Sequence, residues 1–205
     1  MRGAIQQASH RVAESVTLGE LFAGGFIHNI RTPNFWEEGT MILGMSIATF
    51  TLLHVLISLA GIGSGFIVLY GLLTGKRMDA WTAVFLATTV LTSATGFLFP
   101  VEHLLPSHVV GIISLVVLAA AIVARYAFHL AGAWRLIYVI GAVLALYLNC
   151  FVAVAQAFQK VPALHGLAPT GKEPAFMVAQ LLVLAVFIGL GVVSAKRFRG
   201  APVMA

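Results

Sequence analysis

The sequence predicts an all-α fold, a polytopic bundle of about five transmembrane helices. Three observations lead to this prediction. Of the 205 residues, 60% are hydrophobic and only 9% are charged, against about 25% charged residues in soluble domains. The mean hydropathy is +0.99. The apolar residues also form runs of about 20, the length that crosses a bilayer core of about 30 Å. The lipid bilayer is therefore the first partner that the sequence implies.

Each predicted span ends at a residue type that stops or starts a helix. Gly75 with Lys76 closes the first span, Pro100 closes the second, and Pro106 opens the third. Gly132 separates the third from the fourth, and the prolines and glycines of 162–174 form the one substantial loop. The spans are residues 44–74, 80–99, 107–129, 134–159 and 175–195.

The basic residues predict the orientation of the bundle. One side of the membrane receives most of them: Lys76, Arg77, Arg125, Arg135, Lys196, Arg197 and Arg199. The other side has Glu102, Lys160, Lys172 and Glu173. Because cytoplasmic loops carry the excess of Lys and Arg, the pattern indicates an N-out, C-in topology.

Residues 1–40 differ in composition from the bundle predicted for residues 41–200. They contain four of the seven acidic residues and no continuous apolar run of the kind that a secretory signal has. Two interpretations stay open. The segment is a polar tail or an interfacial helix, or it lies upstream of a natural start at Met41.

Polar residues within the spans recur at helical spacing. In the first span His54 shares a face with Gly61 and Gly65, whose small-xxx-small spacing predicts close helix packing. In the fourth span Asn149 and Gln156 share a face. Polar side chains in hydrocarbon are costly unless they pair or line a cavity. We therefore predict a polar ligand-binding pocket in the outer half of the bundle, formed by His54, Thr92, His108, Asn149, Gln156 and Gln180.

Each of these residues also has a structural interpretation. Thr and Ser in membrane helices commonly bond their own backbone carbonyls. Asn149 and Gln156 can hold neighbouring helices together, and His54 can be a packing residue. The alternative for His54 is a ligand-binding or proton-handling role.

The histidines suggest which cofactors the pocket could hold. His54 and His108 are the only pair whose depths match for bis-histidine haem, and they are also the candidate metal ligands. No HxH, HxxxH or ExxH spacing strengthens that interpretation. Haem, a quinone or a metal ion all stay open.

Several chemistries lack their motifs. The sequence has no GxSxG, Walker loop or CxxC, and its one cysteine, Cys150, lies within a span. We assign no catalytic residue, and the pattern favours a protein that is not an enzyme. The basic residues lie between apolar spans without interleaved aromatic residues, which argues against nucleic-acid binding.

Two stretches resemble a family of small, uncharacterised multi-pass inner-membrane proteins of bacteria. They are LTSATGFLFP at 91–100 and FQKVPALHGLAPTGKEP at 158–174, together with the apolar region between them. The resemblance covers about residues 44–195. It implies the bacterial cytoplasmic membrane and carries no activity or site residue.

The sequence thus leads to one functional hypothesis and two alternatives. The hypothesis is a membrane protein that binds haem, quinone or a metal ion in support of redox chemistry. The first alternative is a structural or assembly subunit that docks a membrane-protein partner or a second copy of itself. The second is a small permeation pathway, although Ile62, Val68 and Leu72 interrupt a polar lining on the first span.

Overall fold

The computed structural model of the chain describes residues 41–100 and 106–199. The predictions for residues 1–40, and the loop residues Glu102 and His103, lie outside this part. The chain divides into two units, 1–49 and 50–205. In the first unit the described residues are a hairpin and the first residues of helix α1. The rest of the described chain belongs to the second unit and is almost entirely helical.

The hairpin is a short element that the sequence did not predict. Strands β1 (Met41–Ile42) and β2 (Met45–Ser46) pair antiparallel. Leu43 and Gly44, which connect them, have φ of 53° and 77°. A two-residue turn with both central residues at positive φ matches the twist of paired strands. The predicted helix therefore starts three residues later than 44.

Six helices follow the hairpin in the described chain. The bounds are α1 Ile47–Thr74, α2 Asp79–Gly96, α3 Pro106–Ile122, α4 Trp134–Lys160, α5 Pro162–His165 and α6 Pro174–Arg197. A π-helical turn, Val123–Ala127, continues α3. Proline at the first helical position needs no intrahelical partner for its nitrogen, which explains the starts of α3, α5 and α6. Gly75 at φ +70° ends α1.

The all-α prediction is confirmed at the level of a helical protein. Four helical segments of the described chain are long and apolar enough to span a membrane: Ile47–Thr74, His108–Ala127, Trp134–Lys160 and Pro174–Arg197. Helix α2, which corresponds to the predicted span 80–99, is not among them. It carries six hydroxyl side chains and Asp79 within 18 residues, and these lower its hydropathy.

Contacts between helix ends show how the helices run. The start of α2 meets the start of α4 through Thr82 and Tyr138, and the end of α2 meets the start of α1 through Thr95 and His54. Helix α2 is therefore parallel to α4 and antiparallel to α1. We call the two ends of the bundle the His54 end and the Arg125 end.

Helix α4 lies at the centre of the bundle. In its most apolar window 44% of the residues are buried, against 11% for α6. Its small residues allow close approach, since a Cβ on Gly141 would lie 3.1 Å from the Cβ of Ala121 on α3. The apolar core fills the Arg125 half of the bundle and includes Phe85, Leu118, Val139 and Leu146.

Candidate functional site

Helix α2 carries the polar contacts that join the other helices. Its hydroxyl groups meet three neighbours: Thr95 contacts α1, Ser93 contacts α3, and Thr82 and Thr89 contact α4. Within the described residues, Thr88 is the one hydrogen-bonded hydroxyl of α2 that bonds solely to its own helix, at Val84 and Phe85. The hydroxyl groups that make α2 less apolar than the other long helices therefore mostly contact neighbouring helices.

His54 occupies a defined position at this junction. Its Nδ1 lies 2.8 Å from the hydroxyl oxygen of Thr95, and its ring packs edge-on against Phe99 with centroids 5.2 Å apart. Phe50 contacts the same Phe99 ring at 5.1 Å. His54 is half-buried, and Phe99 is the ring that contacts the imidazole.

The second contact of the Thr95 hydroxyl favours a proton on Nδ1 of His54. Thr95 Oγ1 also lies 2.7 Å from the carbonyl oxygen of Leu91, which can only accept. A hydroxyl has one proton, so when that proton goes to Leu91, Nδ1 of His54 must donate to Thr95. Nε2 of the neutral ring then carries a lone pair, and it has no hydrogen-bond partner within residues 41–100 and 106–199.

Asn149 on α4 forms a second polar contact with α2. Its Nδ2 donates to Thr89 Oγ1 across 3.2 Å. A Cβ at Gly61 would lie 3.3 to 3.6 Å from Thr88 Oγ1, Thr89 Oγ1 and Asn149 Nδ2. Gly61 thus lets α1 approach this polar layer. Gly65, one turn on, approaches Leu146 and Phe85 more closely still, since a Cβ there would lie 2.6 and 2.9 Å from their side chains.

Two buried oxygens at this end have no hydrogen-bond partner in the described chain. Gln180 is 8% exposed, and its Nε2 donates to the carbonyl oxygen of Phe151 at 3.1 Å, but its Oε1 is unpaired. The hydroxyl oxygen of Thr92 is also buried and unpaired. Thr92 shares its helical face with Thr88 and Thr95, so it faces α1.

The six residues of the predicted pocket do not meet in one place, and the contacts on α4 show this for Gln180. Residues two apart on a helix lie about 200° apart. Gln180 bonds to Phe151 and Thr89 bonds to Asn149, so these contacts fall on opposite sides of α4. His54, Thr92 and Asn149 therefore belong to the α1/α2/α4 side, and Gln180 belongs to the α4/α6 side.

His108 and Gln156 lie elsewhere. The His108 side chain on α3 is buried, with its ring 5.5 Å from that of Phe97. Helix α3 meets α2 at Ser93, and α1 meets α2 at Thr95, again two residues apart. Helix α2 thus lies between the two histidines. Gln156 is exposed.

The side chains near His54 offer few ligands for a metal ion. Within the described residues no three His, Cys, Asp or Glu side chains come together. A transition metal held by protein alone takes several such ligands. The single lone pair on His54 Nε2 better suits a ligand that brings its own polar groups.

Sequence reasoning missed a second polar cluster, at the Arg125 end. Arg125 lies on the π-helical turn, is 5% exposed, and donates to the Asp79 carboxylate. Its guanidinium carbon also lies 5.2 Å from the ring centroid of Tyr138, whose hydroxyl is 3.2 Å from Thr82 Oγ1. The sequence suggested membrane anchoring for Arg125. Two features of the sequence could have indicated the pair: Arg125 follows the apolar run of α3, and Asp79 is the one acidic residue at the start of α2.

Two further arginines at this end bond to the last carbonyl groups of helices. Arg135 donates to the carbonyl oxygens of Ala195, at 3.3 Å, and Phe198. Arg197 donates to that of Leu73 at 3.5 Å. Cations are favoured at helix C-termini, where backbone acceptors lack partners. These arginines therefore stabilise the fold in addition to setting the charge of this end.

Comparison with known proteins adds no relative. No family model, no curated protein and no solved structure matches the chain. The class that the fold defines is a helical protein with four helical segments, within the described residues, that are long and apolar enough to cross a membrane.

Proposed function

We propose that the chain is a five-span protein of the bacterial inner membrane, oriented N-out and C-in. The alternating directions of the helices support α2 as the fifth span. At 18 residues and 1.5 Å rise, α2 is about 27 Å long, close to a bilayer core of about 30 Å. Neighbouring helices cover its hydroxyl groups, which is how polar residues are accommodated in a membrane. The basic residues at the Arg125 end support a cytoplasmic location for that end.

The function that we propose is binding of a quinone-type ligand at the His54 end, in support of membrane redox chemistry. The observation that carries this proposal is the His54–Thr95 contact. It directs the Nδ1 proton to Thr95 and leaves Nε2 as an acceptor for a quinol hydroxyl group. A fixed proton on one ring nitrogen is a common way to orient the other toward a ligand.

The surroundings of His54 support an amphipathic ligand. Phe99, which is only partly buried, offers an aromatic ring beside the imidazole for a flat head group, and the buried Phe50 ring packs against Phe99. Leu53 and Val55, on either side of His54 in the chain, are 42% and 38% exposed. These two side chains lie on different sides of α1, and an apolar tail can lie against either of them while the head group reaches the imidazole.

Haem and a metal ion fit the described residues less well. Bis-histidine haem needs two imidazoles facing one plane, whereas α2 separates His54 from His108. A protein-held metal needs more ligands than the described residues bring to His54. A pore is disfavoured by the apolar core that fills the Arg125 half of the bundle.

The test starts with the purified full-length protein. We expect quinone in its lipid extract and no Soret band in oxidised and reduced spectra. Titration with the reduced form, a decyl-chain benzoquinol, under anaerobic conditions should show saturable binding, because only the quinol has a hydroxyl group that can donate to Nε2. His54→Gln should weaken it by about tenfold, the loss expected for one hydrogen bond in a buried site. Thr95→Val should weaken binding less, because it frees the ring without removing Nε2.

Ser58→Ala is the matched control. Ser58 lies one turn from His54 on α1, and its hydroxyl bonds to the carbonyl oxygen of His54 rather than to another helix. Binding by this variant should equal that of the wild type. A Soret band or stoichiometric metal that His54→Gln removes would replace the quinone proposal with the haem or metal form. Equal quinol binding by His54→Gln would refute a ligand site at this residue.

A structural or assembly subunit is the second candidate, and one observation favours it. Helix α6 buries only 11% of its most apolar window, so most of its surface is available to a membrane-protein partner or a second copy. A protein that binds no quinone, carries no chromophore and co-purifies with a membrane complex would fit this candidate.

A further inference from the structure

We infer that the Arg125 end carries a binding site for the head group of an anionic phospholipid. Two chain segments far apart in sequence form it: the turn between α1 and α2, and the end of α6. We call this site the basic patch, and its residues are Lys76, Arg77, Lys196, Arg197 and Arg199. The inference does not depend on a ligand at His54.

The contacts bring the two segments together. Arg197 on α6 donates to the carbonyl oxygen of Leu73, in the last turn of α1. A Cβ at Gly75 would lie 3.4 Å from the carbonyl oxygen of Arg197, so the backbones themselves are close. Gly75 has φ of +70° and turns the chain directly into Lys76 and Arg77. The cations of both segments therefore lie at one corner of the bundle.

The positive charge of the patch is largely uncompensated. All five of its residues are exposed. In the described chain the acid at this end is Asp79, which Arg77 approaches at 3.5 Å and which also accepts from Arg125. No ion pair within residues 41–100 and 106–199 involves Lys76, Lys196 or Arg199. These three cations are available to an external anion.

The neighbouring surface indicates a lipid rather than free phosphate. Tyr70 on α1 is 57% exposed, and Val192 and Val193 on α6 are 49% and 38% exposed. This apolar surface leads away from the basic patch along both helices. A phosphodiester with two acyl chains matches both parts at once. Basic sites between membrane helices on the cytoplasmic side commonly hold anionic lipid head groups.

The test compares lipids on the full-length protein in detergent micelles. Adding dioleoyl phosphatidylglycerol should raise the Tm, and dioleoyl phosphatidylcholine should not. The increase should diminish at high salt because exposed charges are screened. One lysine or arginine near a surface contributes about a fivefold gain in anionic-lipid affinity. Lys76→Gln/Lys196→Gln/Arg199→Gln should thus weaken the midpoint of the phosphatidylglycerol titration by well over tenfold.

The matched control is Lys160→Gln/Lys172→Gln, which removes two exposed lysines from the opposite end and should titrate like the wild type. Inorganic phosphate at equal concentration should give no stabilisation. If the triple variant does not fold in phosphatidylcholine, Arg199→Gln alone should still shift the midpoint by about fivefold. An unchanged midpoint in the patch variants, an equal loss in the control, or full stabilisation by phosphate would overturn the inference.

Discussion

The two ends of the bundle treat their polar groups differently. At the Arg125 end a buried cation meets a carboxylate and aromatic rings, and two further arginines bond to the carbonyl groups at helix termini. At the His54 end the contacts between helices are neutral, and the oxygen of Gln180 and Nε2 of His54 accept from nothing in the described chain. The charged groups buried at the Arg125 end are paired within the chain, whereas the His54 end has acceptor atoms without a donor in the described chain.

Ser194 is an exception that helps to define this difference. Its hydroxyl oxygen is buried and unpaired at the Arg125 end. A serine on a helix can rotate to donate to the carbonyl four residues earlier, here that of Leu190, and the same holds for Thr92. An amide oxygen or an unprotonated imidazole nitrogen cannot, because it only accepts. When Nδ1 carries the proton of His54, both atoms at the His54 end are acceptors that a donor from elsewhere can satisfy.

The largest effect should come from breaking the charge pair. Asp79→Asn leaves the buried Arg125 guanidinium without its anion, which we expect to cost about 2–3 kcal/mol of unfolding free energy. The figure is at the lower end for buried pairs because the carboxylate side is open, with the Asp79 side chain 66% exposed. Thermal and denaturant unfolding in one detergent measures it.

Arg77→Gln is the matched control for Asp79. It removes the exposed partner of the same carboxylate, at 3.5 Å, and surface pairs contribute at most about 1 kcal/mol. Equal losses in the two variants would mean that the pair does not stabilise the Arg125 end, and the contrast between the ends would disappear.

The next effect concerns the helix contact between the two ends. Gly65→Ala places a methyl group 2.6 Å from Leu146 Cδ1 and 2.9 Å from Phe85 Cε2, so these two side chains or α1 itself must shift. Overpacking of this kind costs about 1–3 kcal/mol. Gly63→Ala, with nothing in the described chain within 4 Å of its Cβ, should be neutral or stabilising by up to about 1 kcal/mol through helix propensity. Equal Tm values for the two variants would contradict the close approach.

Much of the fold follows from the sequence, but the partners of its polar groups do not. Long charge-free runs, Pro106 and Pro174, and the glycine after α1 place the helices within a few residues. Which hydroxyl of α2 meets which helix depends on contacts such as Thr89 with Asn149, 60 residues apart. Arg125 and Asp79 are 46 residues apart. Helical periodicity orders residues around one helix and carries no information about its neighbours.

The predicted pocket illustrates the same limit. Depth in the membrane could be estimated from sequence, and that estimate grouped Gln180 and His108 with His54. Their positions around the helices differ. Gln180 contacts the opposite side of α4 from Thr89, and His108 lies on the opposite side of α2 from His54, because residues two apart on a helix face opposite directions. His54 could be singled out as a lone intramembrane imidazole. The identity of Thr95 as its acceptor required the packing of α1 against α2.

A smaller effect is expected from making the His54 end apolar. Thr89→Val/Asn149→Leu replaces both partners of one hydrogen bond, and such double replacements are close to neutral, within about 1 kcal/mol. Asn149→Leu alone should be less stable than the double variant, because it leaves the fully buried Thr89 hydroxyl without its partner. Unfolding in detergent compares the three proteins. A loss in the double variant as large as that of Asp79→Asn would show that this end is structural too.

The smallest effect lies in the loop before α6, at the His54 end. Desolvation acts to raise the pKa of Glu173, but hydrogen bonds from the Thr170 hydroxyl and from the backbone N–H groups of Thr170 and Lys172 outweigh it. The net result is a pKa below the ordinary value of 4.5. A lowered pKa means that the ionised form stabilises the folded loop above the unfolded-state pKa, and that this contribution is lost as the pH falls through the folded-state pKa.

Glu173→Gln should therefore change little at one pH and change the pH dependence instead. The glutamine keeps one acceptor for the Thr170 and Lys172 donors but does not titrate. Hydrogen exchange of the Thr170 and Lys172 amides should accelerate below pH 4.5 in the wild type, relative to a loop amide such as that of Gly166, and stay level in the variant. Because Glu173 is the described acid at the His54 end, a pH response that persists in Glu173→Gln would assign the titration to another group there, and the description of that end as neutral apart from this loop would no longer hold.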